Sequence, residues 1–135
     1  MDKKKVYQHE TEFEVRDYEI DLQGVVNNAN YMHYLEHARH KFLLSKNIDF
    51  EALHNEGKDL IVTKAEMRYR SPLRSGDRFV IKSGISKEGN IQVTFVQDIF
   101  KLPDNKLVLN ARITGACTYK GRPVVPEEVF DALDL

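Results

Sequence analysis

Polar and apolar residues alternate at the start of the chain. In HETEFEVRDYEI, Phe13 and Val15 are interleaved with Glu12, Glu14 and Arg16, the period of a half-buried strand. After DLQGVVNN the period changes. Tyr31, Tyr34, Leu35, Ala38, Phe42 and Leu43 fall close to helical spacing, and no Gly or Pro interrupts the chain until Gly57. The spacing predicts one long helix over about residues 29–45, capped by Asn27 or Asn28 and stopped by the polar, turn-forming KNIDF.

Beyond Gly57 the pattern is that of strands. LIVTKAEMRYR, RFVIKSGIS, IQVTFVQDIF and LVLNARITGACTY are rich in β-branched and aromatic residues with partial alternation, and SPLRSGD, KEGN and LPDNK between them read as turns. PEEVFDAL, with Pro and two acids at its start, predicts a short final helix. The order is strand, long helix, four strands and a terminal helix: an α+β chain with an antiparallel sheet of about five strands. One helix cannot cover both faces of such a sheet, so the sheet is expected to curl around it and bury its remaining surface by oligomerising. No repeat or linker divides the chain, and residues 1–135 read as a single domain.

Composition narrows the function classes. A chain of 135 residues, 41% hydrophobic and 30% charged, is too apolar for intrinsic disorder and long enough to bury roughly two thirds of its surface. With 20 basic and 21 acidic side chains there is no general attraction to nucleic acid or to anionic membranes, so an anionic partner must be met by a local patch. The single Cys117 rules out an intramolecular disulfide and fits a reducing, cytoplasmic compartment. MDKKKVYQHE lacks the apolar stretch of a signal peptide, and no later run approaches the ~20 apolar residues of a membrane span.

The chemistry concentrates between the first strand and the helix, in YEIDLQGVVNNANYMHYLEHAR. The run Phe13-x-Val15-Arg16-x-x-Glu19-x-Asp21-x-x-Gly24-x-Val26-Asn27-Asn28-x-x-Tyr31-x-x-Tyr34-x-Glu36-x-Ala38-Arg39 resembles the acyl-CoA thioesterases of the hotdog fold, in the 4-hydroxybenzoyl-CoA thioesterase superfamily. SPLRSGD resembles that family's Pro-x-x-x-Gly-Asp turn. The resemblance implies a hotdog fold, a curved antiparallel sheet wrapped around one long central helix, and hydrolysis of an acyl-CoA or acyl-carrier thioester. It implies no metal and no cofactor beyond the coenzyme A of the substrate, and a homodimer or homotetramer with sites at subunit interfaces.

Carried over position by position, the resemblance makes Asp21 the catalytic carboxylate, either as general base on water or as a nucleophile. It places the carbonyl contact at the backbone N–H of Asn28 or a neighbour, with Val26 and Asn27 beside it and Gly24 permitting the close approach. The residues themselves are consistent with this. Thioester hydrolysis needs a carboxylate and donors for the developing oxyanion, and a helix N-terminus with unsatisfied N–H groups supplies such donors. Two departures stand out. Many relatives carry His before the Val-Asn-Asn, and the plant acyl-carrier-protein enzymes use Asp, Asn and that His together; here the positions hold Asp21, Gln23 and Val25. A hydratase or dehydratase on the same fold is a competing reading, against which Val25 in the place of that His counts; an acyl-CoA-binding module without turnover is another, and the missing His supports it.

Plainer readings apply to each residue alone. Asp21 and Gly24 are ordinary turn residues, and the asparagines are ordinary N-caps. Tyr31, Tyr34, Leu35, Ala38 and Phe42 read as core, with Tyr31 a candidate for the acyl pocket along with Tyr34, Met67 and Phe95. Glu36 and Arg39, three apart, read as a helical ion pair, and Glu36 is a reserve catalytic acid by the same resemblance. His33, His37 and His40 lack an evident acidic partner at metal-binding spacing. In MRYRSPLRSGDR, Arg68, Arg70, Arg74 and Arg78 form a basic cluster, from which Arg70 and Arg74 are the candidates for the coenzyme's phosphates; Lys120 and Arg122 are further candidates.

Overall fold

The computed structural model describes residues 7–135; most of the charged N-terminal stretch read above as unlike a signal peptide lies outside them. The first strand, β1 (His9–Glu14), turns Phe13 inward, where its ring stacks on Phe79 with centroids 5.2 Å apart. A 3-10 turn at Asp17–Glu19 and the candidate motif lead into α1 (Asn28–Ser45). The Asn27 side chain accepts from the Ala29 N–H at 2.9 Å, satisfying one of the first-turn donors. At the other end Asn47 takes a φ of 63°, and the N–H groups of Asn47 and Ile48 donate to the carbonyls of Leu44 and Leu43, each at 2.9 Å. This is a Schellman ending with asparagine in place of glycine.

Tyr31, Tyr34, Leu35, Ala38, Phe42 and Leu43 of α1 are all buried, each large apolar side chain contributing about 1.5–3 kcal/mol. They pack on Phe79, Ile81, Phe95, Ile99, Leu109 and Ile113 of the sheet. The chain continues through α2 (Phe50–Asn55), β2 (Lys58–Tyr69), β3 (Arg78–Glu88), β4 (Gln92–Lys101), β5 (Lys106–Tyr119), β6 (Arg122–Val124) and α3 (Glu127–Ala132). Val129 and Phe130 of α3 join the core.

The sheet is antiparallel in the order β1-β3-β4-β5-β2, with β6 paired to β5. Bulges between Val62 and Lys64 and between Ile99 and Phe100 bend it. β1 and β2, consecutive as strands, therefore lie at opposite edges, and α1 carries the chain between them beneath the sheet. This is the expected hotdog arrangement with two additions. The sheet has six strands, because Lys120 and Gly121, at φ 50° and 82°, make a two-residue turn that folds β6 onto β5. The segment after α1 is helical, because Asp49 caps it through the Glu51 N–H at 2.9 Å. Edge strand β2 pairs only with β5 and leaves Ile61, Val62 and Tyr69 at 49%, 45% and 50% exposure. Among the described residues, no helix is long and apolar enough to cross a membrane.

Candidate functional site

A loop built on backbone hydrogen bonds presents Asp21. Its N–H donates to the Val25 carbonyl at 2.9 Å, its carbonyl accepts from Gly24 at 3.0 Å, and Ile20 bridges Val26 across the turn. Closing that loop requires the φ of +76° that Gly24 adopts, a region in which a side chain is strained. The Asp21 carboxylate is half-exposed and anchored from within the loop: Oδ1 accepts from the Gln23 N–H at 2.9 Å. In the amide orientation that the hydrogen-bond network requires, the Gln23 side-chain nitrogen stands 3.0 and 3.1 Å from the two carboxylate oxygens.

The helix start is held against the same loop. The Asn27 N–H donates to the Glu19 carbonyl at 3.2 Å, and the Asn30 side chain reaches that carbonyl at 2.8 Å. Asn27 spends its side-chain oxygen on Ala29, and its carbonyl accepts from Asn30. Among the described residues the N–H of Asn28, the first helical residue, meets no acceptor, so it stands exposed at the positive end of α1. The loop thus carries an anchored carboxylate, and the helix start tied to it carries an open backbone donor, the two kinds of group that acyl transfer requires.

The SPLRSGD turn docks onto this loop through the Val26 N–H, which donates to the Leu73 carbonyl at 2.8 Å. Arg74, next to Leu73, is exposed, and the turn is closed by the Arg74 N–H on Asp77 Oδ2 at 2.8 Å. Arg70 is also exposed, with Nε 3.4 Å from Asn110 Oδ1. Arg74 is thus brought to the loop of Asp21 by one hydrogen bond of its neighbour. The rest of the basic cluster is dispersed: Arg78 pairs with Glu12 on β1 at 2.7 Å, while Lys120 and Arg122 lie at the far end of the β2–β5 ladder from Tyr69.

Tyr31 is buried at 3% exposure, its ring edge-on to Tyr34 and Tyr69, with centroids 6.1 and 5.6 Å away. Burial pushes its phenol upward. It is therefore a core residue of the first turn of α1. His37 packs against Phe13 and His40 against Phe50. A groove of about 1290 Å³ between β1 and α1 takes in His33, Tyr34 and His37 but neither Asp21 nor Asn28.

The expected Glu36–Arg39 ion pair is not formed. Glu36 is exposed, whereas Arg39 turns inward, is 6% exposed and donates from Nη1 to Gln97 Oε1 at 3.0 Å. Its position between Leu35, Ala38 and Phe42 puts it on the buried flank of α1, where the buried Gln97 of β4 supplies an acceptor. Spacing along one helix carries no signal for that partner.

Residues 15–133 match the model of the thioesterase-like superfamily. The chain is 43% identical over 123 residues to the chloroplastic acyl-acyl carrier protein thioesterase ATL3 of Arabidopsis thaliana, covering 90% of this chain and 65% of that protein; it spans less than two thirds of that relative's length. It is 30% identical over 109 residues to the long-chain acyl-CoA thioesterase FadM of Escherichia coli, covering 80% and 81% of the two. A crystal structure of a hypothetical protein from Aquifex aeolicus superposes with a TM-score of 0.87 at 28% identity, over 93% of this chain and 99% of the other. A 1,4-dihydroxy-2-naphthoyl-CoA thioesterase from Synechocystis shares the fold at the same TM-score and 17% identity, over 93% and 94%. With the Asp21 loop, the capped helix and the docked SPLRSGD turn all inside the matched span, the chain belongs to the thioesterase-like superfamily.

Proposed function

We propose that this chain hydrolyses an acyl thioester of coenzyme A or of a carrier protein. The observation that carries the reading is the pairing of the Asp21 carboxylate, anchored by Gln23, with the open Asn28 N–H at the start of α1. The thioester carbonyl accepts from that N–H. Asp21 either activates water for attack on the carbonyl carbon or attacks it to form a mixed anhydride that water then hydrolyses; in both routes the C–S bond breaks, the thiolate takes up a proton, and free acid and thiol leave. Gln23, which stands at the Asn position of the plant-type set, holds the carboxylate from its own loop. Arg70 and Arg74 take the phosphates of the pantetheine-bearing partner. The chemistry needs no metal or redox cofactor, and the buried free thiol of Cys117 suits a reducing, cytoplasmic setting.

The working unit in this reading is at least a dimer. β2 is an unusually long open edge of twelve residues, and such an edge with exposed Ile61, Val62 and Tyr69 is a ready surface for a second copy. The test is release of thiol from a panel of short, long and aromatic acyl-CoAs and acyl-carrier substrates. Turnover of at least one supports hydrolysis; acyl-CoA binding with no thiol released by any member overturns it in favour of a binding module.

A further inference from the structure

The hydrogen bonds around Asp21 form a short hairpin. The Asn27 N–H on the Glu19 carbonyl and the Asp21 N–H on the Val25 carbonyl are its rungs, with Ile20 bridging Val26 between them. Asp21 stands at the closed end, beside the turn at Gly24, and Asn28 leaves from the open end into α1. The register of this hairpin therefore governs where the Asp21 carboxylate stands relative to the Asn28 N–H. The rung at the open end is the longer, 3.2 Å against 2.9 Å. It is also the one that the Asn30 side chain reinforces: Nδ2 donates to the same Glu19 carbonyl at 2.8 Å.

Nothing in α1 itself calls for asparagine at this position. The helix is capped by Asn27 on the Ala29 N–H, and Asn30, half-buried in the first turn, already spends its own N–H on the Asn27 carbonyl at 2.9 Å. Asparagine is a poor helix former. In a capping box the residue three after the cap turns its side chain back to the N–H of the cap; here that N–H and the Asn30 amide converge instead on Glu19, outside the helix. The acceptor is itself held. The Glu19 N–H donates to the Arg16 carbonyl at 2.9 Å, its Oε1 accepts from the Arg16 N–H at 2.8 Å, and the neighbouring Asp17 accepts from Ser75 of the SPLRSGD turn. Asn30 thus ties the start of α1 to a turn that is closed by its own hydrogen bonds, two residues ahead of Asp21.

We infer that Asn30 is a positioning residue of the proposed thioester site: its side-chain amide, through the Glu19 carbonyl, holds the register that sets Asp21 against the Asn28 N–H. The inference rests on the thioester reading for the reaction that it serves. A misplacement of about 1 Å between reacting groups is enough to cost roughly a hundredfold in rate. Stability responds less, because the Glu19 carbonyl keeps the Asn27 donor when Asn30 is lost and no buried acceptor is orphaned.

The test is Asn30→Ala in the full chain, with thiol release and urea unfolding measured side by side. The expected result is a kcat about tenfold or more below wild type, a KM within about twofold of it, and an unfolding midpoint close to it. Asn30→Asp, which keeps the shape but puts an acceptor in place of the donor, gives the same loss; its charge suits the helix N-terminus, so it serves where Asn30→Ala fails to fold. The comparison that a merely structural role would fail is the same substitution in the Asp21→Asn background. With the carboxylate already gone, a displaced loop costs little, and the further fall in rate is below about twofold. An equal fold-loss in both backgrounds reports fewer folded molecules and overturns the positioning role. So does a folded Asn30 variant whose kcat stays within about twofold of wild type. If wild type cleaves no thioester, that reading fails separately, and amide exchange read by NMR decides the clamp. The Asp21 and Asn27 N–H groups exchange about threefold faster or more in Asn30→Ala if Asn30 holds the register, and unchanged exchange overturns it.

Discussion

Asp21 lies on the loop and Asn28 at the first position of α1, and two substitutions at Asn28 separate its backbone from its side chain. The Asn28 contribution is a backbone N–H, so its side chain is dispensable and its amide hydrogen is not. Asn28→Pro removes that hydrogen at the first helical position, where proline is well tolerated, and the preceding Asn27 already has the extended backbone (φ −67°, ψ 143°) that a following proline demands. The expected result is a drop in kcat of about 10²–10³ with little change in the unfolding midpoint; Asn28→Ala, which keeps the amide, stays close to wild type in both measurements. The motif around these residues was readable because several residue types at fixed offsets agree. The anchoring of the carboxylate by Gln23 was not, since it depends on a loop closed at Gly24. Arg39 was misread for a similar reason: its partner Gln97 is 58 residues away, and a pairing rule for isolated helices favours Glu36.

Elements announced themselves in proportion to their length and punctuation. α1 was legible from eighteen residues without Gly or Pro, a capping asparagine and a steady apolar face; its start lies at Asn28, one residue before the expected one. The six-residue α2 and three-residue β6 are too short to show a period, and what fixes them is a cap at Asp49 and a two-residue turn at Lys120 and Gly121. The cap on α1 carries a stability prediction of its own. Asn27→Ala removes the bond to the Ala29 N–H and lowers stability by about 1 kcal/mol, to be read from urea unfolding followed by far-UV circular dichroism. Because the cap also holds the loop that carries Asp21, through the Asn27 N–H on Glu19, the backbone part of that contact survives and the variant stays folded.

The sheet edges and the histidines govern the behaviour of the molecule as a unit. Val62→Asp places a charge on the open β2 edge, where it opposes association; light scattering is expected to show the wild type as a dimer or tetramer and the variant shifted toward monomer, with hydrolysis falling alongside. Stability also responds to pH. His9 lies on Phe42, with ring centroids 5.3 Å apart, and His40 on Phe50, 4.3 Å apart. Burial is the main cause that lowers both below the usual 6.5, outweighing the nearby Glu10 and Glu36. With folded values below unfolded ones, the unfolded chain binds more protons as pH drops. The stabilisation is therefore complete above about pH 6.5 and is lost as pH falls through the folded values. Thermal scans should give a steady melting temperature just above neutrality and a falling one below pH 6.5, with a shallower fall in His40→Gln.

The decisive measurement is thiol release by Asp21→Asn, compared with wild type on whichever acyl thioester the wild type cleaves best, with circular dichroism confirming that the variant is folded. Asparagine keeps the shape and the acceptor for the Gln23 N–H while removing the charge. A fall in kcat/KM of a hundredfold or more, about 2.7 kcal/mol of lost transition-state stabilisation, is the predicted result. A folded variant that hydrolyses the same thioester within a few-fold of wild type contradicts the assignment of Asp21 and, with it, the site at the start of α1.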